Sequence, residues 1–139
     1  MIAEARYVFD ANVIVSALLF EQSVPGQAFY AAIDRGHILL SQPVLRELAD
    51  VLSREKFDRY LRWDERERFL VAFVYAAEWV EVDQTVRACR DPRDDKYLEL
   101  AAYSNASCIV SGDEDLLALH PFRGIGILTP SQFLRFIKG

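Results

Sequence analysis

The chain has 139 residues, of which 52% are hydrophobic and 27% are charged; this is typical of one globular domain rather than a disordered segment. A net charge of −5 argues against a surface that coats nucleic acids nonspecifically, because such surfaces are basic. The sequence has no apolar run of membrane-spanning length and no secretory signal at its N-terminus, so we expect a single domain over residues 1–139 without membrane association. Cys89 and Cys108 form neither a disulfide framework nor a CxxC metal motif, so we expect reduced thiols in the cytoplasm.

Predicted strands and helices alternate along the chain, beginning with the apolar run Tyr7–Phe9, which leads directly into Asp10. The predicted strands cover 7–9, 37–40, 79–82, 107–111 and 126–128. The predicted helices cover 13–19, 27–35, 42–52, 65–77, 91–102, 116–119 and 130–137. Because strands that alternate with helices form parallel sheets, the pattern predicts a doubly wound α/β fold.

Four acidic residues fall where such a sheet would bring them to one edge. Asp10 ends the first strand, and Asp113 follows the fourth. Glu47 interrupts the apolar face of the helix after the second strand, and Asp95 opens the helix before the fourth. Ligands bind at the carboxyl edge of parallel sheets, and oxygen ligands without His or Cys suit a hard cation. The pattern therefore indicates a site for Mg²⁺ or Mn²⁺ that could activate water next to a phosphodiester.

Each acid also has an ordinary structural explanation. Asp10 and Asp113 could cap the turns or helices that follow them. Glu47 could be a surface acid at the border of its apolar face. Helix capping explains one member of the Asp94–Asp95 pair, although it does not require both.

Four short motifs follow one another along the chain. They are Asp10-Ala11-Asn12, Glu47 within 45–52, the run DPRDDKYLELA at 91–101, and SGDEDLL at 111–117. In these motifs the chain resembles the PIN-domain ribonucleases, and within them the VapC-like toxins of prokaryotic toxin–antitoxin pairs. The resemblance covers nearly the whole chain. It implies a three-layer α/β/α fold with a five-stranded parallel sheet, and metal-dependent cleavage of single-stranded RNA.

The resemblance also implies roles for individual residues. The catalytic metal ligands would be Asp10, Glu47, Asp95 and Asp113, although the Asp94–Asp95 doublet leaves the third ligand open by one position, and we assign it to Asp95. Asp115 would support a second Mg²⁺ or Mn²⁺ ion or cap its helix. The residues expected to orient the carboxylates are Asn12, Ser111 and Asp94. The residues that could hold the flanking RNA phosphates are Arg87, Arg90, Arg93 and Lys96.

A small antitoxin protein is the partner that the resemblance implies, and we expect it to cover the acids and the apolar helix 13–20; we also expect a homodimer. Two alternatives stay open. One is a catalytically idle PIN-like protein-binding module, which clustered carboxylates argue against because they repel one another. The other is a phosphotransfer domain, but a dehalogenase-like phosphatase requires Asp where Asn12 stands, and a receiver requires Lys where Thr129-Pro130 stands.

Overall fold

A five-stranded parallel sheet forms the centre of the structure, a computed structural model that describes residues 4–138. The strands lie in the order β3-β2-β1-β4-β5. They cover Ala5–Phe9 (β1), Gly36–Leu40 (β2), Glu78–Trp79 (β3), Cys108–Val110 (β4) and Gly126–Leu128 (β5). In the register of the central strand, Tyr7 lies opposite Ile38 of β2 and Cys108 of β4. The apolar run in β1 is therefore buried between two strands and two helical layers, as its composition predicts.

Helices connect the strands and cover both faces of the sheet, which confirms the predicted three-layer α/β/α fold. They cover Ala11–Leu19 (α1), Val24–Arg35 (α2), Gln42–Leu52 (α3), Trp63–Ala76 (α4), Asp95–Ser104 (α5), Glu114–Leu117 (α6) and Pro130–Lys138 (α7), with short 3-10 turns at Glu55–Phe57 and Pro92–Asp94. In the part of the chain that the structure describes, no helix is both long enough and apolar enough to cross a membrane.

Aromatic side chains pack two helices, α2 and α7, against the carboxyl end of β1. The ring of Phe9 packs edge to face against Phe29 of α2, at a centroid distance of 6.0 Å, and against Phe133 of α7, at 5.6 Å. Phe133 also contacts Tyr7 with its centroid 5.0 Å away. Such pairs each contribute about 0.5–1.5 kcal/mol beyond the burial of their apolar area. The backbone that carries Asp10 is therefore held rigidly at its exit from the sheet.

The second helix begins earlier than the sequence predicts. Ser23 caps α2 by accepting a 3.2 Å hydrogen bond from the Gly26 N–H, so the helix starts at Val24 rather than at residue 27. Pro25 fits in the first turn because the N–H that it lacks has no helical partner there. A Cβ at Gly26 would lie 2.3 Å from the Glu21 carbonyl oxygen, so this close approach of the backbone requires glycine.

Several other boundaries differ from the predicted ones, and α5 begins at Asp95 after a 3-10 turn rather than at residue 91. The helix α4 begins at Trp63, with Asp64 in its first turn rather than at its cap. The strand β3 ends at Trp79 instead of reaching residue 82. The Val80 N–H still donates to the Leu40 carbonyl at 2.9 Å, after which the chain leaves the sheet. Edge strands of this kind are short because only one side has a partner.

The helix that we expect an antitoxin to cover is mostly buried within the domain itself. Five residues of α1 are buried: Ala11, Val13, Ile14, Val15 and Ala17. Only Phe20, just after the helix, is widely exposed, at 51%. The helix is apolar nearly all round because the sheet and neighbouring helices enclose it.

Candidate active site

Asp10 lies at the junction of β1 and α1, where it caps the helix. Its side chain is 5% exposed and accepts hydrogen bonds from the Asn12 N–H, at 3.1 Å, and from the Ser111 hydroxyl, at 2.8 Å. The Ser111 Oγ in turn accepts from the Asp113 N–H at 3.0 Å. This chain of bonds fixes the carboxylate of Asp10 relative to the end of β4. Asn12 contributes through its backbone, while its side chain is exposed.

Burial raises the pKa of Asp10, and the hydrogen bonds from Ser111 and Asn12 oppose that increase by stabilising the charged form. The negative charges of Glu47 and Asp113 raise the same pKa further. Asp10 is therefore a buried acid whose ionised form is repelled by two other carboxylates at the carboxyl edge of the sheet.

Glu47 is held near Asp10 by a tyrosine from another helix. The hydroxyl of Tyr97 in α5 donates to Glu47 and accepts a 3.1 Å hydrogen bond from the Ala11 N–H. Lys96 places its Nζ 3.1 Å from the Glu47 carboxylate. Because Tyr97 is fully buried and faces acids, its pKa is strongly raised and its hydroxyl keeps the proton that it donates.

Of the Asp94–Asp95 pair, the structure brings Asp94 to the other acids. Burial raises the pKa of Asp94 to about 6, together with repulsion from Asp113, Asp10, Asp91 and Glu47. We name the cluster of Asp10, Glu47, Asp94 and Asp113 the acidic edge. A carboxyl group with this pKa is protonated over a wider range of pH than usual, because it is partly buried and its neighbours carry the same charge.

The Asp95 carboxylate is engaged elsewhere, which argues against its assignment as a ligand. It is 8% exposed, and its Oδ1 accepts hydrogen bonds from the Ala88 N–H at 3.2 Å and the Cys89 N–H at 2.7 Å. These bonds anchor the loop before α5 to the first turn of the helix. Asp95 therefore has a structural role in holding this loop, whereas Asp94 accepts no capping hydrogen bond at the start of α5.

The remaining acids after β4 have helix-capping geometry. Asp113 caps α6 by accepting a 2.8 Å hydrogen bond from the Asp115 N–H. Its second carboxylate oxygen stays available toward the acidic edge. Asp115 contributes its backbone to this cap, and its side chain is half-buried.

The four cations predicted to hold RNA phosphates do not form one cluster. Arg87 and Arg90 are exposed on the loop before α5. Arg93 is 84% exposed and lies 3.0 Å from Asp91, while Lys96 is paired with Glu47. The last two line a groove with Arg46 of α3 and Arg54, which lies just after that helix; we name it the basic groove.

Comparison with known protein families identifies the family to which this chain belongs. The model of the PIN domain family matches residues 6–115, which is most of the chain. The chain belongs to the PIN domain family. Its members are in general nucleases that use divalent metals. The family predicted from the four motifs is thereby confirmed.

Three other proteins are similar to this PIN domain. An uncharacterized protein from Methanocaldococcus jannaschii is 28% identical over 116 residues, or 82% of this chain and 74% of that protein. The crystal structure of PAE2754 from Pyrobaculum aerophilum has a TM-score of 0.63 at 18% identity, covering 97% of this chain and 91% of that one. The crystal structure of VapBC2 from Rickettsia felis, bound to a DNA fragment from the VapBC2 promoter, has a TM-score of 0.62 at 14% identity. The match covers 89% of this chain and 98% of that one. At these identities the two structures show a shared fold.

The donor set of this PIN domain fits a hard divalent cation. Within residues 4–138, no three His, Cys, Asp or Glu side chains are already close enough to hold a metal ion. The acidic edge nevertheless offers carboxylate oxygens alone, the ligands that Mg²⁺ and Mn²⁺ prefer. Burial raises the pKa of Asp94 most, and repulsion from the neighbouring carboxylates, which a cation would relieve, raises it further. The residues present therefore fit such an ion, provided that the side chains draw together.

Tyr97 and Arg46 are parts of the site that the sequence analysis missed. The sequence pattern predicts Tyr97 only as part of the buried face of its helix. A buried tyrosine needs a partner for its hydroxyl, and that requirement, next to the Asp94–Asp95 motif, is the signal that could have identified it. Arg46 lies about one turn along α3 from Gln42, with no sequence motif of its own.

Proposed function

We propose that this PIN domain is a metal-dependent endoribonuclease that cleaves single-stranded RNA. The observation that carries the proposal is the acidic edge, in which repulsion from three other carboxylates helps to raise the pKa of Asp94 to about 6. A fold has little reason to hold like charges together at the ligand-binding edge of its sheet unless a cation joins them.

The proposed ligands are Asp10, Glu47, Asp94 and Asp113. Asp94 replaces Asp95 in this set because Asp95 is hydrogen-bonded to the loop before α5. Asp115 lies on the turn after Asp113, where it could support a second ion. A ligand must be free to turn toward the cation, and Asp94 has no hydrogen bond at its helix terminus that would prevent it.

The chain's own groups orient the reacting parts. The Ser111 hydroxyl and the Asn12 N–H hold the Asp10 carboxylate in one position, and Tyr97 holds Glu47. A bound Mg²⁺ or Mn²⁺ would lower the pKa of a water and neutralise charge on the phosphodiester. The carboxylates would then serve to fix that ion between the RNA backbone and the sheet.

A cleft of about 410 Å³ provides space for the substrate beside Asp10 and Asp113. Polar groups from Asn12 and Ser16 line it together with Pro25 and Pro130. We name it the polar cleft. Its open, mixed surface suits a flexible single strand, whose bases can splay away from the backbone, better than a rigid duplex.

An assay of RNA cleavage tests the proposal. The purified protein should cleave single-stranded RNA with Mg²⁺ or Mn²⁺ and lose this activity in excess chelator. Asp10→Asn should be inactive under both conditions, whereas Asp34→Asn, on the exposed end of α2, should keep wild-type activity. Full activity in chelator would contradict the metal requirement, and a folded wild type without activity would favour the alternative of a protein-binding module.

We further propose that the protein is the toxin of a toxin–antitoxin pair and forms a homodimer. The likeness of its fold to VapBC2 supports the first part. Apolar side chains on α4 support a protein partner, since Val71 and Tyr75 are 51% and 88% exposed. Expression of the wild type should arrest growth, Asp10→Asn should not, and co-expression of the partner should restore growth. Sedimentation of the purified chain measures the dimer directly.

A further inference from the structure

We propose that the basic groove binds the phosphates of the RNA strand on one side of the bond that is cleaved. The phosphates on the other side of that bond have no equivalent set of cations to bind them. This proposal rests on the proposed function, and it adds the direction in which the substrate is held. It follows from the distribution of charge on the two sides of the acidic edge.

The basic groove has a volume of about 410 Å³ and lies between α3 and the start of α5. Its charged lining consists of Arg46, Arg54, Arg93 and Lys96, with the acids Glu47 and Asp50. The lining carries four cations and two acids, and the cations remain in excess when Asp91, the partner of Arg93, is added, in a protein whose net charge is −5. Such a local excess of positive charge in an acidic protein attracts a polyanion to one place on the surface.

The two arginines next to α3 lie on one side of the helix and just past its end. Arg46 and Asp50 lie on successive turns of α3, and Arg54 follows the helix end and reaches back to Asp50. Arg54 pairs with Asp50 across 3.4 Å on an exposed surface. Exposed pairs contribute little stability, so a phosphate can replace the carboxylate at little cost.

The polar cleft differs from the basic groove in its charge. The two have no lining residue in common, and the described residues around the polar cleft include no Arg or Lys. Its charged members are Asp10 and Asp113 of the acidic edge, and the others are neutral. An RNA strand in this cleft would meet hydrogen-bonding groups but no cation for its phosphates.

The order of the strands places these two regions on opposite sides of Asp10. On one side of β1 lies β2. On its other side lies β4, followed by β5. The helix α3, with the arginines, follows β2, whereas Asp113 follows β4 and Pro130 follows β5. A strand that crosses the acidic edge along the sheet therefore has the basic groove on one side only. Arginine suits this role because its planar fork binds phosphate oxygens in pairs.

Binding of a fluorescein-labelled single-stranded RNA of mixed sequence, measured by anisotropy in chelator over a series of salt concentrations, tests the groove. The double variant Arg46→Gln/Arg54→Gln should bind roughly tenfold more weakly at low salt, and its slope of log affinity against log salt should shrink by about 0.7 for each phosphate that it no longer neutralises. The matched control is Arg62→Gln/Arg68→Gln, which removes the same charge at α4, where both arginines pair with Asp64. The control should bind like the wild type.

The direction in which the substrate is held is tested with two RNAs. Each extends from the mapped cleavage site on one side only, the first toward the 5′ end and the second toward the 3′ end. The wild type should have a clearly higher kcat/KM for one of the two RNAs, and the double variant should lose that preference. Equal use of both RNAs by the wild type, or a double variant indistinguishable from its control, would overturn the proposal while leaving the ribonuclease proposal intact. If the wild type cleaves no RNA, the proposed function fails, and the salt series still decides whether the groove binds the strand.

Discussion

Tyr97 connects two elements of the site through one hydroxyl group. It accepts from the Ala11 N–H, next to Asp10, and donates to Glu47 on α3. The side chain is fully buried, so it has little freedom to form other contacts. Outer groups of this kind position metal ligands, and their loss typically weakens metal binding by about 10- to 100-fold.

We therefore expect Tyr97→Phe to raise the Kd for Mn²⁺ by about 10- to 100-fold, as measured by titration calorimetry. The variant should also lose about 1–3 kcal/mol of unfolding free energy, because the Ala11 N–H loses its partner. Tyr103→Phe is the matched control on the same helix, since Tyr103 is 43% exposed. Loss of stability with unchanged Mn²⁺ affinity would show that Tyr97 is a core residue only.

The neighbours Asp94 and Asp95 should respond oppositely to amide substitution. The folded-state pKa of Asp94 is raised from 3.8 to about 6, so the folded protein binds more protons than the unfolded chain between these values. Its contribution to stability is therefore most favourable below about pH 4 and is lost as the pH rises through about 6. Asp95 instead accepts two backbone hydrogen bonds that hold the loop before α5.

Thermal melting in chelator at neutral pH should show Asp94→Asn at or above the wild-type melting temperature, and that difference should vanish near pH 4. Asp95→Asn should lose about 1 kcal/mol, because charge-assisted hydrogen bonds become neutral ones. The reverse order of the two variants would place Asp95, rather than Asp94, among the repelling acids.

At the scale of elements, a buried arginine determines how α4 packs. Arg66 is 1% exposed and donates from one nitrogen to the carbonyls of Leu52, at 2.8 Å, and Arg54, at 3.0 Å. It also pairs with Asp58 and lies over the ring of Trp63. The guanidinium thereby satisfies carbonyls at the C-terminal end of α3 that no helical N–H reaches.

Arg66→Met should lower the unfolding free energy by about 3 kcal/mol, since the carbonyls of α3 lose a charged donor while the volume is nearly kept. Urea denaturation measures this change. Arg68→Met, two residues along the same helix and 76% exposed, should stay within about 0.5 kcal/mol of the wild type. Equal losses in both variants would mean that Arg66 does not connect α3 to α4.

For the whole molecule, local patterns were sufficient to predict the fold. The apolar run Tyr7–Phe9 lies within β1, and the predicted strand at 126–128 matches β5 residue for residue. Alternation of strands and helices leaves few topologies, and the parallel sheet follows from it. Together with four motifs, this was enough to identify the family.

Features that depend on contacts distant in sequence could not be predicted. Asp94 and Asp95 are equivalent by periodicity, and what separates them is the backbone of Ala88 and Cys89 folding onto Asp95. The hydroxyl of Tyr97 meets a residue fifty positions away. The burial of Arg66 depends on the end of another helix. Such partners meet only after the chain is packed, so a local pattern can indicate that a buried polar group needs a partner but not which residue supplies it.

Thermal melting with and without Mn²⁺ tests the central claim, that the acidic edge binds a divalent cation. At 100 times its Kd, an ion that binds only the folded state adds about 2.7 kcal/mol, which for a domain of this size raises the melting temperature by about 10 °C. The wild type should show this increase at neutral pH, and Asp10→Asn should show little of it. If Mn²⁺ leaves the wild type unchanged, or raises both proteins equally, the acidic edge is not a metal site.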